Sequence, residues 1–163
     1  MKKLVDRGNR KQYNPERYMD LMQTEAEPDR MASCILACNY SRRVVDRPKA
    51  QSLIQMDCVA VCFVGSEIWV ASNCRKLTEE DINNALGDVY NGWTVYRVSN
   101  GNGCMHAEMQ LIKELREASL LDKVTYIGVS KPCCKHCKEV LDDNNKGYLC
   151  YHTDPVSNWE APW

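Results

Sequence analysis

The residues best suited to chemistry are His106-Ala107-Glu108 and, 28 positions after that histidine, the run Cys134-Lys135-His136-Cys137. A Cys-x-x-Cys pair with one distant histidine supplies three zinc ligands and leaves the fourth tetrahedral position open for water. Three protein ligands and an open position indicate catalytic rather than structural zinc. Glu108 follows closely after His106 and is the kind of carboxylate that shuttles protons for such a water. Taken separately, each element has a plainer reading. His-Ala-Glu occurs in ordinary helices, and a Cys-x-x-Cys in a reducing compartment serves as a redox pair or as half of a structural zinc site. Cys104, His106, Cys134 and Cys137 would also make a closed Cys3His site without activity.

These residues need elements that bring them together. Met105, Met109, Ile112 and Leu115 form one helical stripe through about Ser119. Val124–Val129 reads as a strand, and the segment after Pro132 as a helix carrying Val140 and Leu141. A helix of about 14 residues rises roughly 21 Å, and a return strand of about six residues covers roughly 20 Å in the opposite sense. The connection therefore starts and ends at one edge of the sheet. Both segments would open helices, whose N-terminal dipoles favour thiolates and anionic intermediates. Residues i and i+2 do not share a helix face, so His106 and Glu108 converge only at the helix start.

Upstream, Asn14-Pro15 opens a short helix through Met22, and Pro28 opens another that reaches about Val45. In the second, Met31, Cys34, Ile35 and Cys38 fall at helical spacing. Cys58–Val64 is a valine-rich apolar run, as expected of a strand buried on both faces. Gly65-Ser66 suits a II′ hairpin turn, and Glu67–Ala71 returns to deliver Ser72-Asn73 to the sheet end. Thr78-Glu79-Glu80-Asp81 resembles a capping start for a helix that stops near Gly87. Thr94–Val98 reads as an extra strand, Gly101-Asn102-Gly103 as a loop and Tyr148–Tyr151 as the last strand. The order implies a three-layer α/β/α sandwich with a mixed central sheet, class α/β. Residues 1–50 read as a helical N-terminal extension or cap, and 51–163 as the zinc-dependent domain.

A chain of 163 residues fits one domain that buries most of its surface without help from disulfides. With 21 Lys+Arg against 22 Asp+Glu, it is not a nucleic-acid binder that relies on bulk charge. Local basic clusters survive that average, among them Lys131, Lys135 and Lys138. The longest apolar run, Cys58–Val64, is far short of the ~20 residues that cross a membrane. After Met1-Lys2-Lys3-Leu4, the residues Asp6, Arg7 and Gly8 leave no apolar core for a signal peptide. Ten cysteines in 163 residues stay below the roughly 8–10% of a disulfide scaffold. Cys34, Cys38, Cys58 and Cys62 lie in apolar segments, where a thiol behaves as a small buried hydrophobe. A reducing compartment is the simpler reading.

The layout His-x-Glu followed by Cys-x-x-Cys resembles the cytidine-deaminase-like superfamily. Tyr126-Ile127-Gly128-Val129-Ser130-Lys131-Pro132-Cys133-Cys134-Lys135-His136-Cys137 is similar to the Ser-Lys-x-x-Cys-x-x-Cys box of deaminases found as toxin domains in bacterial polymorphic-toxin systems, with relatives in fungal and intracellular-bacterial proteins. Cys104–Leu115 resembles their His-Ala-Glu helix. His152 followed by Trp159-Glu160-Ala161-Pro162 resembles their tail. The resemblance covers about residues 56–163. It implies Zn2+ on His106, Cys134 and Cys137, no organic cofactor, and Glu108 as general acid/base. Asn73 would hold the substrate, with Ser130, Lys131, His152 and Trp159 as further contacts. Most of the superfamily has proline just before the first ligand cysteine, where this chain has Cys133. Aligning Pro132-Cys133 would make Cys133 and His136 the pair. The Ser130-Lys131 spacing and the Cys-x-x-Cys type both favour Cys134 and Cys137.

The implied reaction is hydrolytic deamination of a nucleobase, cytosine to uracil in single-stranded DNA. RNA, a free nucleotide, or a non-catalytic zinc-stabilised binding module are the alternatives. Lys131, Lys135 and Lys138 would supply backbone cations, and Trp93, Tyr96, His152 and Trp159 lie in segments that could rim the pocket. The toxin resemblance further implies an injected effector domain, mutagenic in the cytoplasm of a target cell and neutralised by an immunity protein. No membrane partner is expected.

Overall fold

In the computed structural model, residues 26–42, 57–73, 76–98 and 105–163 are described. The helix expected over Asn14–Met22, the loop at Gly101–Gly103 and Cys104 lie outside them. Helix α1 (Glu27–Arg42) precedes a hairpin of β1 (Val59–Val64) and β2 (Glu67–Ser72). Then come α2 (Glu79–Leu86), β3 (Thr94–Arg97), α3 (Ala107–Glu117), β4 (Gly128–Val129) and α4 (Lys135–Asp143). The sheet order is β3-β2-β1-β4. Strand β1 is antiparallel to β2 and β4, while β2 is parallel to β3, so the sheet is mixed.

Side chains alternate across a strand, and here both faces are covered. Val59 and Val61 of β1, with Ile68 and Val70 of β2, pack against Met31, Ile35 and Ile82 of α1 and α2. Ala60, Cys62, Trp69 and Ala71 face the other way, toward Met109, Ile112 and Leu115 of α3 and Leu141 of α4. A strand covered on both faces reads as an unbroken apolar run, which is why Cys58–Val64 shows no alternation. The result is a three-layer α/β/α sandwich around a mixed sheet, the architecture the resemblance implies. Part of the N-terminal helical segment, α1, is therefore one of its layers.

Local signals placed the elements accurately. Gly65 has φ +57°, as the first central position of a II′ turn requires. Thr78 caps α2 by accepting from the Asp81 N–H, and the Asp81 side chain accepts from the Thr78 N–H, a full capping box.

Three expectations are corrected. The inward face of α1 is Met31, Ala32, Ile35, Leu36 and Asn39, whereas Cys34 is exposed and Cys38 half-buried. Asp29 and Asn39, drawn in by buried partners, rotate the stripe away from the cysteines. The strand expected over Val124–Val129 forms a ladder only at Gly128–Val129, with a single bridge between Tyr126 and Gly147. Tyr148–Tyr151 makes no ladder; one bridge joins Cys133 to Tyr151. The reason lies in one donor. The Val129 N–H, which a ladder with Tyr148–Tyr151 would use, is taken by Asp29 Oδ1 at 3.0 Å.

Asp29 also accepts from the Ala26 N–H at 3.0 Å and from the Tyr126 hydroxyl, so the start of α1 is fastened to β4. Gly128 allows this approach. A Cβ there would lie 2.2 Å from the carbonyl carbon of Pro28. Among the described residues, no helix is long and apolar enough to cross a membrane.

Candidate functional site

The ends of β2 and β4 and the starts of α3 and α4 meet on one side of the sheet. His106 is the N-cap of α3, still extended at φ −63° and ψ 153°, and Glu108 sits in the first turn. That is the one place on a helix where these two side chains converge. Cys134 is the N-cap of α4, and its Sγ accepts the Cys137 N–H at 3.4 Å. His106 Nδ1 lies 3.6 Å from Cys134 Sγ and 3.4 Å from Cys137 Sγ. The three donor atoms fall within 4.8 Å of one another, with both cysteines buried and the histidine half-buried.

The other register is not assembled. Cys133 is fully buried, and its N–H donates to the Cys150 carbonyl at 3.1 Å. The His136 ring lies against Trp159, with centroids 5.2 Å apart.

Charge is distributed unevenly over this cluster. The hydrogen bond with Cys137, aided by His106, lowers the Cys134 thiol. The same bond, together with burial, pushes Cys137 up. His106 is raised, chiefly by its hydrogen bond with Cys134. Burial raises the Glu108 carboxyl, which is only 3% exposed. Its Oε2 is buried with no hydrogen-bond partner among the described residues. An imidazole nitrogen with two sulfurs is a donor set that suits zinc. The orphaned carboxylate oxygen near it matches a site with room for one more polar group, so the residues present fit the ion.

The remaining candidates divide into two groups. Asn73 closes the end of the hairpin, its Oδ1 accepting the Cys58 N–H at 2.7 Å. Ser130 Oγ accepts the Val59 N–H at 2.9 Å, which ties the exit of β4 to β1. Half-buried Lys131 follows it into the cysteine turn. His152 is held through its backbone N–H to the Cys133 carbonyl at 2.8 Å, and its buried Nδ1 lies 3.9 Å from Asp154 Oδ2. Trp159, read as a substrate contact, donates its indole N–H to Cys137 Sγ at 3.3 Å.

One rim residue is corrected. Trp93 packs edge-on against Phe63 and Tyr90 in the cluster under α1 and α2, on the opposite face of the sheet from the cysteines. Lys138 pairs with Asp142 at 2.9 Å and lies over the Tyr151 ring. Tyr96 stacks on Trp69 at 4.7 Å, on edge strand β3.

Sequence reading missed Gln110. It is buried within the apolar stripe of α3, and its Nε2 donates to the Met105 and Ser72 carbonyls at 2.9 and 3.2 Å. This ties the approach to His106 to the end of β2. The signal available was an amide in the middle of Met109–Ile112.

Residues 105–163 match the family described as OTT_1508_deam-like deaminase, a span that contains His106, Glu108, both cysteines and the tail with Trp159. No curated protein and no solved structure matches the chain.

Proposed function

We propose that this chain, which belongs to the cytidine-deaminase-like superfamily, is a zinc-dependent hydrolase that deaminates cytosine to uracil in single-stranded DNA. One observation carries the reading: His106 Nδ1, Cys134 Sγ and Cys137 Sγ converge beside a buried carboxylate whose Oε2 has no partner among the described residues. Those three residues would hold the ion. When bound, zinc supplies Lewis acidity that brings the pKa of a water toward ~7.

The chain's own residues supply the rest. Glu108, with its carboxyl raised by burial, is suited to accept a proton and give it back. It takes the proton of the attacking water as the C4–O bond forms, and it delivers that proton to the ring nitrogen. It then takes the proton of the C4 hydroxyl and passes it to the exocyclic amine as the C4–N bond breaks and the C4 carbonyl forms. Cytosine and water become uracil and ammonia, and nothing is oxidised or reduced.

An unpaired strand avoids the few kcal/mol needed to extract a base from a duplex. Lys135 is exposed at the start of α4 and Lys131 is half-buried before it, two cations beside the cluster that suit a strand's backbone. The test is ammonia release from a cytosine-containing single-stranded oligonucleotide, with Glu108→Ala as control. Activity should fall steeply as salt rises. Equal rates on free cytidine, or deamination of RNA alone, would remove the DNA assignment and leave the chemistry. A zinc-loaded chain whose ammonia release survives Glu108→Ala would remove the mechanism in favour of a zinc-stabilised binding module.

The toxin role completes the proposal: delivery into a target cell's cytoplasm, mutation of its DNA, and an immunity protein in the producer. Inducible expression in bacteria without a partner should slow growth and raise mutation frequency. Unimpaired growth and unchanged mutation frequency with metal-loaded protein would argue against it.

A further inference from the structure

The two sulfurs of the cluster receive their hydrogen bonds from different sources. Cys134 Sγ is served locally, by the Cys137 N–H in the first turn of α4. Cys137 lies inside that turn, where the next amide, Lys138 N–H, is used by the helix itself in a 2.9 Å bond to the Cys134 carbonyl. Its donor comes from 22 residues away, the indole N–H of Trp159 at 3.3 Å. An indole nitrogen only donates, so the direction of this bond is fixed. The same ring bears on His136, which stands between the two cysteines in sequence.

We propose that Trp159 is a positioning residue of the metal centre, holding Cys137 Sγ in place and drawing electron density from it through the indole N–H. The inference rests on the zinc reading above. A ligand whose lone pair is shared with a hydrogen-bond donor gives less charge to the ion and leaves it a stronger Lewis acid. Outer-shell partners of this kind typically change metal affinity or activity by roughly 10–100-fold when removed. The irregular tail after His152 thus acts on the centre through one bond and one ring contact, although it contributes no ligand.

The experiment uses the full chain loaded with zinc or cobalt. Trp159→Phe keeps most of the ring but loses the N–H, whereas His136→Ala loses the ring contact but keeps the N–H. Zinc affinity, measured against a competing chelator, should fall about tenfold in Trp159→Phe. Its thiolate-to-cobalt absorption should move to longer wavelength, because the sulfur becomes more electron-rich. His136→Ala should leave that band in place. An unshifted band with unchanged affinity in Trp159→Phe would overturn the proposal, as would an equal shift in both variants. In the wild-type chain loaded with cadmium-113, coupling between the Trp159 indole N–H and the metal should be visible by NMR. Its absence would overturn the proposal without any variant having to fold. A wild-type chain that takes up no zinc or cobalt would instead remove the metal reading.

Discussion

The Val129 N–H donates to Asp29 Oδ1 across 3.0 Å, joining the first turn of α1 to the strand that feeds the cysteine box. Residue 129 is followed at once by Ser130 and Lys131, so the placement of the box depends on an aspartate 100 positions earlier. Asp29→Ala should leave the Ala26 N–H, the Tyr126 hydroxyl and the Val129 N–H without their acceptor. We expect a loss of about 3 kcal/mol in denaturant unfolding. A loss under about 0.5 kcal/mol, within the range of ordinary surface substitutions, would mean that α1 is not anchored there.

Gly128→Ala tests the same joint sterically. The added methyl would meet the Pro28 carbonyl carbon at 2.2 Å and the Asp29 nitrogen at 2.4 Å, both backbone atoms. Overpacking of this kind costs about 1–3 kcal/mol, and more where the backbone has to move. A thermal midpoint equal to wild type would show that the helix is free to slide.

On the α1–α2 side, Asp81 is buried and its carboxylate accepts from Asn39 Nδ2 at 2.9 Å, Arg42 Nε at 2.7 Å and the Thr78 N–H at 3.0 Å. Burial raises this carboxyl, but the bonds from Arg42, Asn39 and Thr78 outweigh it and hold the group well below the ordinary carboxylate range. Below the unfolded value near ~3.9, the unfolded chain binds the proton before the folded one does. The stabilisation is therefore complete above that value and disappears as pH falls toward the folded one. Denaturation midpoints across the acid range should steepen there in wild type and flatten in Asp81→Asn. An identical acid limb in both would refute the assignment.

At the metal centre, His106→Ala and Cys137→Ala should each lose the ion, and Cys133→Ala should retain it. Elemental analysis of the purified variants reads this directly. Because ion binding is linked to local folding, chelation should lower the thermal midpoint of wild type. Zinc lost from Cys133→Ala but kept in Cys134→Ala would restore the other register.

Glu108→Gln separates catalysis from structure. Losing a positioned acid/base group costs roughly 10²–10⁴ in rate. Stability should not fall, since burial disfavours the charged form that the amide replaces. Ammonia release together with a melting curve makes the comparison. A variant that keeps its rate but melts early would assign Glu108 a structural part.

Short-range rules account for what was legible in the chain. The Gly65 turn, the Thr78–Asp81 capping box and the extended His106 and Cys134 just before their helices are each set by a few adjacent residues. The return path from His106 to Cys134 follows from the rise of one helix and one strand. The face that each aromatic occupies does not follow in the same way. Strands covered on both sides carry the same apolar pattern on each, so nothing local puts Trp93 under α1 and α2 rather than at the cysteines. Nor does a periodic mark connect Trp159 with Cys137, Asp29 with Val129, or Asp81 with Arg42. Those bonds satisfy donors and acceptors that burial has cut off from water, and which groups are cut off is known only once the layers have closed.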